Sequence, residues 1–151
     1  MVDRIDLKIL SILQAEGRIR NQALAERVAL SPSACLVRVR NLETSGFITG
    51  YTARIAADRV KSTTIVFAEV TLTRHHPADF AAFEAFVSQT SEIVEAAQVS
   101  GAFDYLLKVV VNDIRSWLEL SDRLLNSELG IEKILSHVMM KSAKSFVGFP
   151  L

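Results

Sequence analysis

Apolar residues in the first third of the chain recur at helical spacing in three short runs. Ile5, Ile9, Leu10 and Leu13 form the first stripe; Asp3-Arg4-Ile5-Asp6 has the acids of a capping box, and Gly17 supplies a stop. Asn21 can cap a second helix whose inward face is Leu24, Ala25 and Val28. After a tight break at Ala29-Leu30, Ser31-Pro32 opens a third helix, the serine oxygen serving free N–H groups and the proline giving up no needed donor. Cys35, Val39 and Leu42 share one stripe of it, and Gly46 ends it. Phe47 to Ile55 then alternates around Gly50, as a hairpin or wing leading into a strand would.

Residues 56–62 are small and charged, the composition of a linker. Beyond them the period changes type. Ile65–Thr73 is β-branched and reads as a strand; Pro77 starts a helix with Phe80, Phe83, Phe86 and Val87 on one face. Ile93–Ser100 and Tyr105–Asn112 read as strands joined through Gly101-Ala102-Phe103-Asp104. Asp113 can cap a helix carrying Ile114, Trp117, Leu118, Leu124 and Leu125, with a stop near Gly130. Ile131–Met139 gives a fourth strand, and Ser145–Phe149 a short fifth. The order β-α-β-β-α-β is that of a ferredoxin-like split βαβ domain. The expected class is therefore α+β: a winged helix-turn-helix over 1–50, a connecting strand or linker over 51–62, and a βαββαβ sandwich over 63–151.

Composition narrows the function. Of 151 residues, 50% are hydrophobic and 23% charged, a balance that excludes disorder over most of the length. No apolar run approaches the roughly 18 residues of a membrane span. The opening Met1-Val2-Asp3-Arg4-Ile5-Asp6 lacks the layout of a signal peptide, so a cytoplasmic protein without a membrane partner is expected. One cysteine excludes an intrachain disulfide and a cysteine zinc cluster. The net charge is +0, yet it is unevenly spread: residues 1–61 carry ten Lys/Arg against six Asp/Glu, and residues 62–151 seven against eleven. A basic front half suits a polyanion.

Two short helices joined by a tight turn on a three-helix scaffold make a helix-turn-helix, whose second helix fits the major groove of B-DNA. Its expected solvent side holds Ser33, Arg38, Arg40 and Asn41. Arginine can bond guanine bidentately or clamp a phosphate, and asparagine can pair with an adenine edge. Ser31, Ser33 and the helix N-terminus suit a phosphate oxygen. The same arginines are also what an ordinary solvated helix face carries. Elsewhere, His75 and His76 on a strand end point apart and read as loop residues, while His137 in an apolar strand reads as structural. Nothing assembles a nucleophile with its base, a phosphate-cradling loop or a metal triad, so no enzyme activity, metal or cofactor is expected.

Taken in order, Asp3-Arg4-Ile5-Asp6, Gly17-Arg18-Ile19, Leu24-Ala25-Glu26-Arg27-Val28, Leu30-Ser31-Pro32-Ser33, Arg38-Val39-Arg40-Asn41-Leu42-Glu43 and Gly46-Phe47-Ile48-Thr49-Gly50-Tyr51 resemble the amino-terminal domain of the Lrp/AsnC (feast–famine) transcription regulators. Val99-Ser100-Gly101-Ala102-Phe103-Asp104-Tyr105-Leu106-Leu107-Lys108 followed by Asp113 is similar to that family's ligand-sensing (RAM) domain. The resemblance implies double-stranded DNA as partner, self-association into dimers and then into octamers or similar rings, and a small amino acid as effector between sensing domains. It places Ser31, Ser33, Arg38 and Arg40 on DNA. It sets Gly101, Asp104 and Tyr105 at the border of the effector site, with Ser136, His137, Val138 and Met139 lining it from the fourth strand. Val37 and Asn41 stand where many members have basic residues, and Lys141 where an acid is common.

Chemically, a glycine turn lets main-chain N–H groups approach a carboxylate, and Asp104 can hold an ammonium. Gly and Asp are equally the residues of a plain hairpin loop. Two other readings remain: an architectural protein that wraps DNA without an effector, and a small ferredoxin-like metabolite-binding protein or enzyme.

Overall fold

The computed structural model describes residues 2–151 and divides into two compact units, residues 2–55 with Ala143–Leu151, and Ala56–Ser142. In the first, helix α1 (Arg4–Ala15) starts as its sequence demands. The Asp3 carboxylate accepts the N–H groups of Ile5 and Asp6, both at 2.8 Å, and Asp6 returns a bond to the Asp3 N–H. Helix α2 (Asn21–Val28) begins differently from expectation. Asn21 is its first helical residue rather than its cap, and its Nδ2 donates to the Pro32 carbonyl at 2.8 Å, tying α2 to the start of the next helix. The turn closes on Ala29, at φ 56°, with the Leu30 N–H on the Ala25 carbonyl at 2.9 Å.

Helix α3 (Pro32–Thr44) is capped by Ser31, whose Oγ accepts the Ala34 N–H. Ile9, Leu24, Ala25, Val28, Cys35 and Leu42 are buried together, with Ile5, Leu10, Leu13, Val39 and Ile48 packed around them. Burial pushes the Cys35 thiol above its ordinary pKa, consistent with core packing.

Past α3 the strand expected to follow Gly50 does not form. Phe47 and Ile48 donate their N–H groups to the Leu42 carbonyl, and no strand forms over 51–55. The physical reason is that a strand is a ladder, and this segment has no second strand beside it within the chain. Tyr51 instead donates its hydroxyl to Glu43 on α3 at 2.9 Å. The expected fifth strand over 145–149 is also absent, because its main chain bonds a side chain of α1 rather than a sheet edge.

The second unit opens with a single helical turn, α4 (Ala57–Val60), where a linker was expected. Then come β1 (Thr64–Leu72), α5 (Pro77–Gln89), β2 (Ile93–Gln98), β3 (Tyr105–Val111), α6 (Ile114–Leu125) and β4 (Ile131–Val138). The sheet order is β2-β3-β1-β4 and every pairing is antiparallel, the arrangement expected of a split βαβ domain. Alternation puts Val66, Ala68, Val70 and Leu72 of β1 and Tyr105, Leu107, Val109 and Val111 of β3 on one face. Phe83 of α5 and Trp117, Leu120 and Leu124 of α6 close over it. Asp113 caps α6 by accepting the Ser116 N–H at 2.8 Å.

Helices α5 and α6 both pack on that face, and among the described residues of this unit no helix covers the opposite one. Its register brings together Ile65, Phe67, Glu69, Leu106, Lys108, Val110, Leu135 and His137, half-buried or exposed. Two polar contacts sit on it, a hydrogen bond between His137 and Glu69 at 3.0 Å and the Lys108–Glu95 ion pair at 2.7 Å.

Candidate nucleic-acid interface and ligand turn

Helix α3 packs through Cys35, Val39 and Leu42 and leaves its other side to solvent. Ser33, Val37, Arg40, Asn41 and Thr44 recur there at steps of four, three, one and three, one continuous exposed stripe. Ser31 and Ser33 stand at its N-terminus with their hydroxyls 3.1 Å apart. Val37 is 57% exposed at the middle of the stripe, a position that reading by charge alone passed over; its i+4 spacing from Ser33 was the available signal.

Arg38 is a correction. Its Nη1 donates to Asp3 Oδ2 at 2.7 Å and to Asp6 Oδ1 at 2.8 Å, so its guanidinium is held against the first turn of α1 instead of standing on the open face. The Asp6 main-chain N–H and this guanidinium hold the Asp3 carboxyl below its usual range. The pairing offsets one of the two negative charges that Asp3 and Asp6 carry. Arg38 thus ties α3 to α1, while Arg40 is the exposed guanidinium on the stripe.

In the second unit Gly101–Asp104 joins β2 to β3. Gly101 takes φ 134°, a conformation open to glycine, with nothing within 4 Å of where a Cβ would lie. The Asp104 carboxylate accepts the Leu72 N–H at 2.7 Å and faces His75 Nε2 at 3.0 Å. His75, read from sequence as a plain loop residue, is thus a partner of the turn; no local pattern announces a pairing across 29 positions. Tyr105 is buried, with its ring 4.5 Å from that of Phe83 and its hydroxyl donating to Glu84 at 2.8 Å. Burial first, and the Glu84 carboxylate second, push its phenol well above the ordinary tyrosine pKa. Beside it, between α5 and β2, lies a small open cavity of about 190 Å³ lined by Phe83, Glu84, Val87, Ala96, Gln98 and Tyr105 among others.

The expected β4 contributors do not join this turn within one chain. Asp104 and Tyr105 bond to Val70 and Leu72, at the end of β1, whereas Ser136, His137, Val138 and Met139 lie beside its start, from Ile65 to Ala68. At about 3.3 Å per residue, Ser136 opposite Ala68 lies two steps, roughly 7 Å, along β1 from Val70, and Met139 beside Ile65 five steps, roughly 17 Å. Alternation divides the four further. Ser136 faces the helices, where its Oγ accepts the Trp117 Nε1–H at 3.1 Å, while His137 lies on the open face.

Among the described residues no three His, Cys, Asp or Glu side chains cluster as a metal site, and no helix is long and apolar enough to cross a membrane.

Comparison with known proteins supplies the context for these surfaces. A family model for a winged helix-turn-helix DNA-binding domain matches residues 2–49, and one for the Lrp/AsnC ligand binding domain matches residues 65–148. The leucine-responsive regulatory protein of Salmonella typhimurium is 44% identical over 143 residues, covering 95% of this chain and 87% of that protein. The transcriptional regulatory protein DoeX of Halomonas elongata is 42% identical over 143 residues, covering 95% and 90%. Among solved structures, a transcriptional regulator from Neisseria meningitidis in complex with L-Met superposes with a TM-score of 0.91 at 32% identity, covering 99% of this chain and 97% of that one.

Proposed function

The chain belongs to the Lrp/AsnC family of DNA-binding transcription regulators with a ligand-binding domain, and from that premise we propose that it is a sequence-specific, self-associating regulator tuned in the cytoplasm by a small amino acid. The observation that carries the DNA half is the exposed stripe of α3 on a helix whose other side is fully committed to the core. In this reading Arg40 and Asn41 address base edges or phosphate, and Val37 offers an apolar contact suited to a thymine methyl. Ser31, Ser33 and the helix N-terminus take a phosphate oxygen. Arg38 serves by holding α3 to α1.

Self-association is supported by the sheet face opposite α5 and α6, where Ile65, Phe67, Leu106, Val110 and Leu135 make an apolar area broken by the Lys108–Glu95 ion pair and the His137–Glu69 hydrogen bond. A two-fold dimer presents two recognition helices about 34 Å apart, so its operators are imperfect palindromes. The effector binds between sensing domains. Main-chain groups at Gly101 and the Asp104 carboxylate take the two charges of an amino acid, and a second copy brings the Ser136–Met139 end of its β4. A leucine-responsive relative and a neighbour solved with L-Met favour an aliphatic amino acid.

The test is duplex binding across salt with selected and random sequences, alongside thermal shifts with each standard amino acid. Arg40→Ala should weaken binding to the selected duplex and lower the salt slope by about 0.9 per copy bound. Equal affinity for every sequence together with no amino-acid shift would favour the architectural reading. Full DNA affinity in Arg40→Ala would remove the stripe from the interface.

A further inference from the structure

We propose that Ala143–Leu151 is a strap, clamped to α1 by the Gln14 side chain, that restrains the DNA-binding unit and thereby raises affinity for duplexes engaged by two recognition helices. The chain passes between its two units twice, at residues 55–56 and again at 142–143, so this unit is tied at both ends of its sequence. What fastens the second tie is specific. Gln14 Oε1 accepts the Phe149 N–H at 2.7 Å, and Gln14 Nε2 donates to the Phe149 carbonyl at 2.9 Å. A primary amide here does what a neighbouring strand would do, satisfying donor and acceptor of one residue together. Leucine, glutamate or lysine at position 14 could not supply both bonds.

The segment is shaped for the clamp. Gly148 takes φ 133°, and a Cβ there would lie 2.7 Å from Gln14 Oε1 and 2.8 Å from its Cδ. Any other residue would be strained and would push aside the atoms that form the bonds. The rings of Phe146 and Phe149 pack edge-on with centroids 5.1 Å apart, bracketing Val147-Gly148. Yet Phe146, Val147 and Phe149 all remain more than half exposed. Little apolar burial holds the segment, so the amide clamp governs whether it is docked. A releasable second tether limits the motion of each DNA-binding unit, and ordering done before binding need not be done during it.

The affinity arm of the test rests on the proposed DNA function; the docking arm does not. Hydrogen exchange of residues 143–151 is compared in the full chain and in Gln14→Ala, Gly148→Val and the double variant. Gln14→Glu is included because it keeps the side-chain length and the acceptor but removes the donor. Each single variant should speed exchange about tenfold, as expected for losing one or two exposed hydrogen bonds, and the double variant no further. Equally fast exchange in the unaltered chain overturns the strap. The same proteins are then titrated with a duplex selected by the unaltered chain from a random library, and with one half-site of it. Strap release should lower affinity for the full site and leave the half-site unchanged. Faster exchange with unchanged full-site affinity overturns the coupling. Failure to select any duplex contradicts the DNA function and leaves the exchange result to decide docking.

Discussion

Replacing Ser136 by alanine separates two roles for one residue. The Trp117 indole is 1% exposed, and its N–H has Ser136 Oγ as its partner at 3.1 Å. Leaving a buried donor without an acceptor costs about 1–3 kcal/mol. Ser136 itself is exposed on β4, an edge strand, so a water molecule can enter the space its hydroxyl leaves. That access favours the lower end, about 1 kcal/mol, or roughly 4–8 °C in the melting temperature of a unit this size. Trp117 is the only tryptophan in the chain, so its emission during urea or thermal unfolding reports the loss directly. Ser136→Thr, which keeps the hydroxyl, should melt close to the unaltered protein. Should Ser136→Ala melt as high as the parent while losing an amino-acid response, the hydroxyl acts on ligand and the structural assignment is wrong.

Three further outcomes are expected. Ala29→Gly should stabilise the DNA-binding unit, because a left-handed conformation costs alanine about 1–2 kcal/mol and the extra freedom of unfolded glycine returns only about 0.5–1; slower hydrogen exchange across α2 and α3 would show it, and faster exchange would refute it. In alkaline titration both tyrosines should stay un-ionised past the ordinary 10.0, since burial and then Glu43 push Tyr51 up to about 12, and Tyr105 is raised for like reasons. A pKa raised in the fold gives stability that is complete below the unfolded value and lost as pH climbs above it, so phenolate absorbance should rise with unfolding; titration near 10 in the folded protein would contradict this. Arg38→Ala should lower the melting temperature of the first unit without changing the salt slope of DNA binding, and the difference from the parent should be complete above the ordinary Asp3 value of 3.8 and narrow as pH falls below it, where the depressed carboxyl gives up its stabilisation. A reduced salt slope would return Arg38 to the DNA contacts.

What could be read without coordinates was local. Asp3, Ser31-Pro32 and Asp113 announce helix starts because a cap acts on main-chain groups two or three residues away. The stripes at Cys35, Val39 and Leu42, and the alternation of β1 and β3, announce which side is buried, because period follows directly from backbone geometry. From these came the helix-turn-helix and the βαββαβ order. Asn21 shows the limit even there: its sequence position suits a cap, yet the carbonyl of Pro32 takes its amide.

Polar partnerships were decided by the folded chain. Arg38 meets Asp3 across 35 positions, His75 meets Asp104 across 29, and Gln14 meets Phe149 across 135. Periodicity tells a side chain which face it occupies and says nothing about which distant group stands opposite. The same distinction explains residues 51–55 and 145–149, whose patterns suit strands but whose ladders find no second strand in one chain. It explains, too, why Ser136 stands opposite Ala68 at the middle of β1 while Asp104 bonds Leu72 at its end: antiparallel register sets that distance, and register emerges only when strands pair.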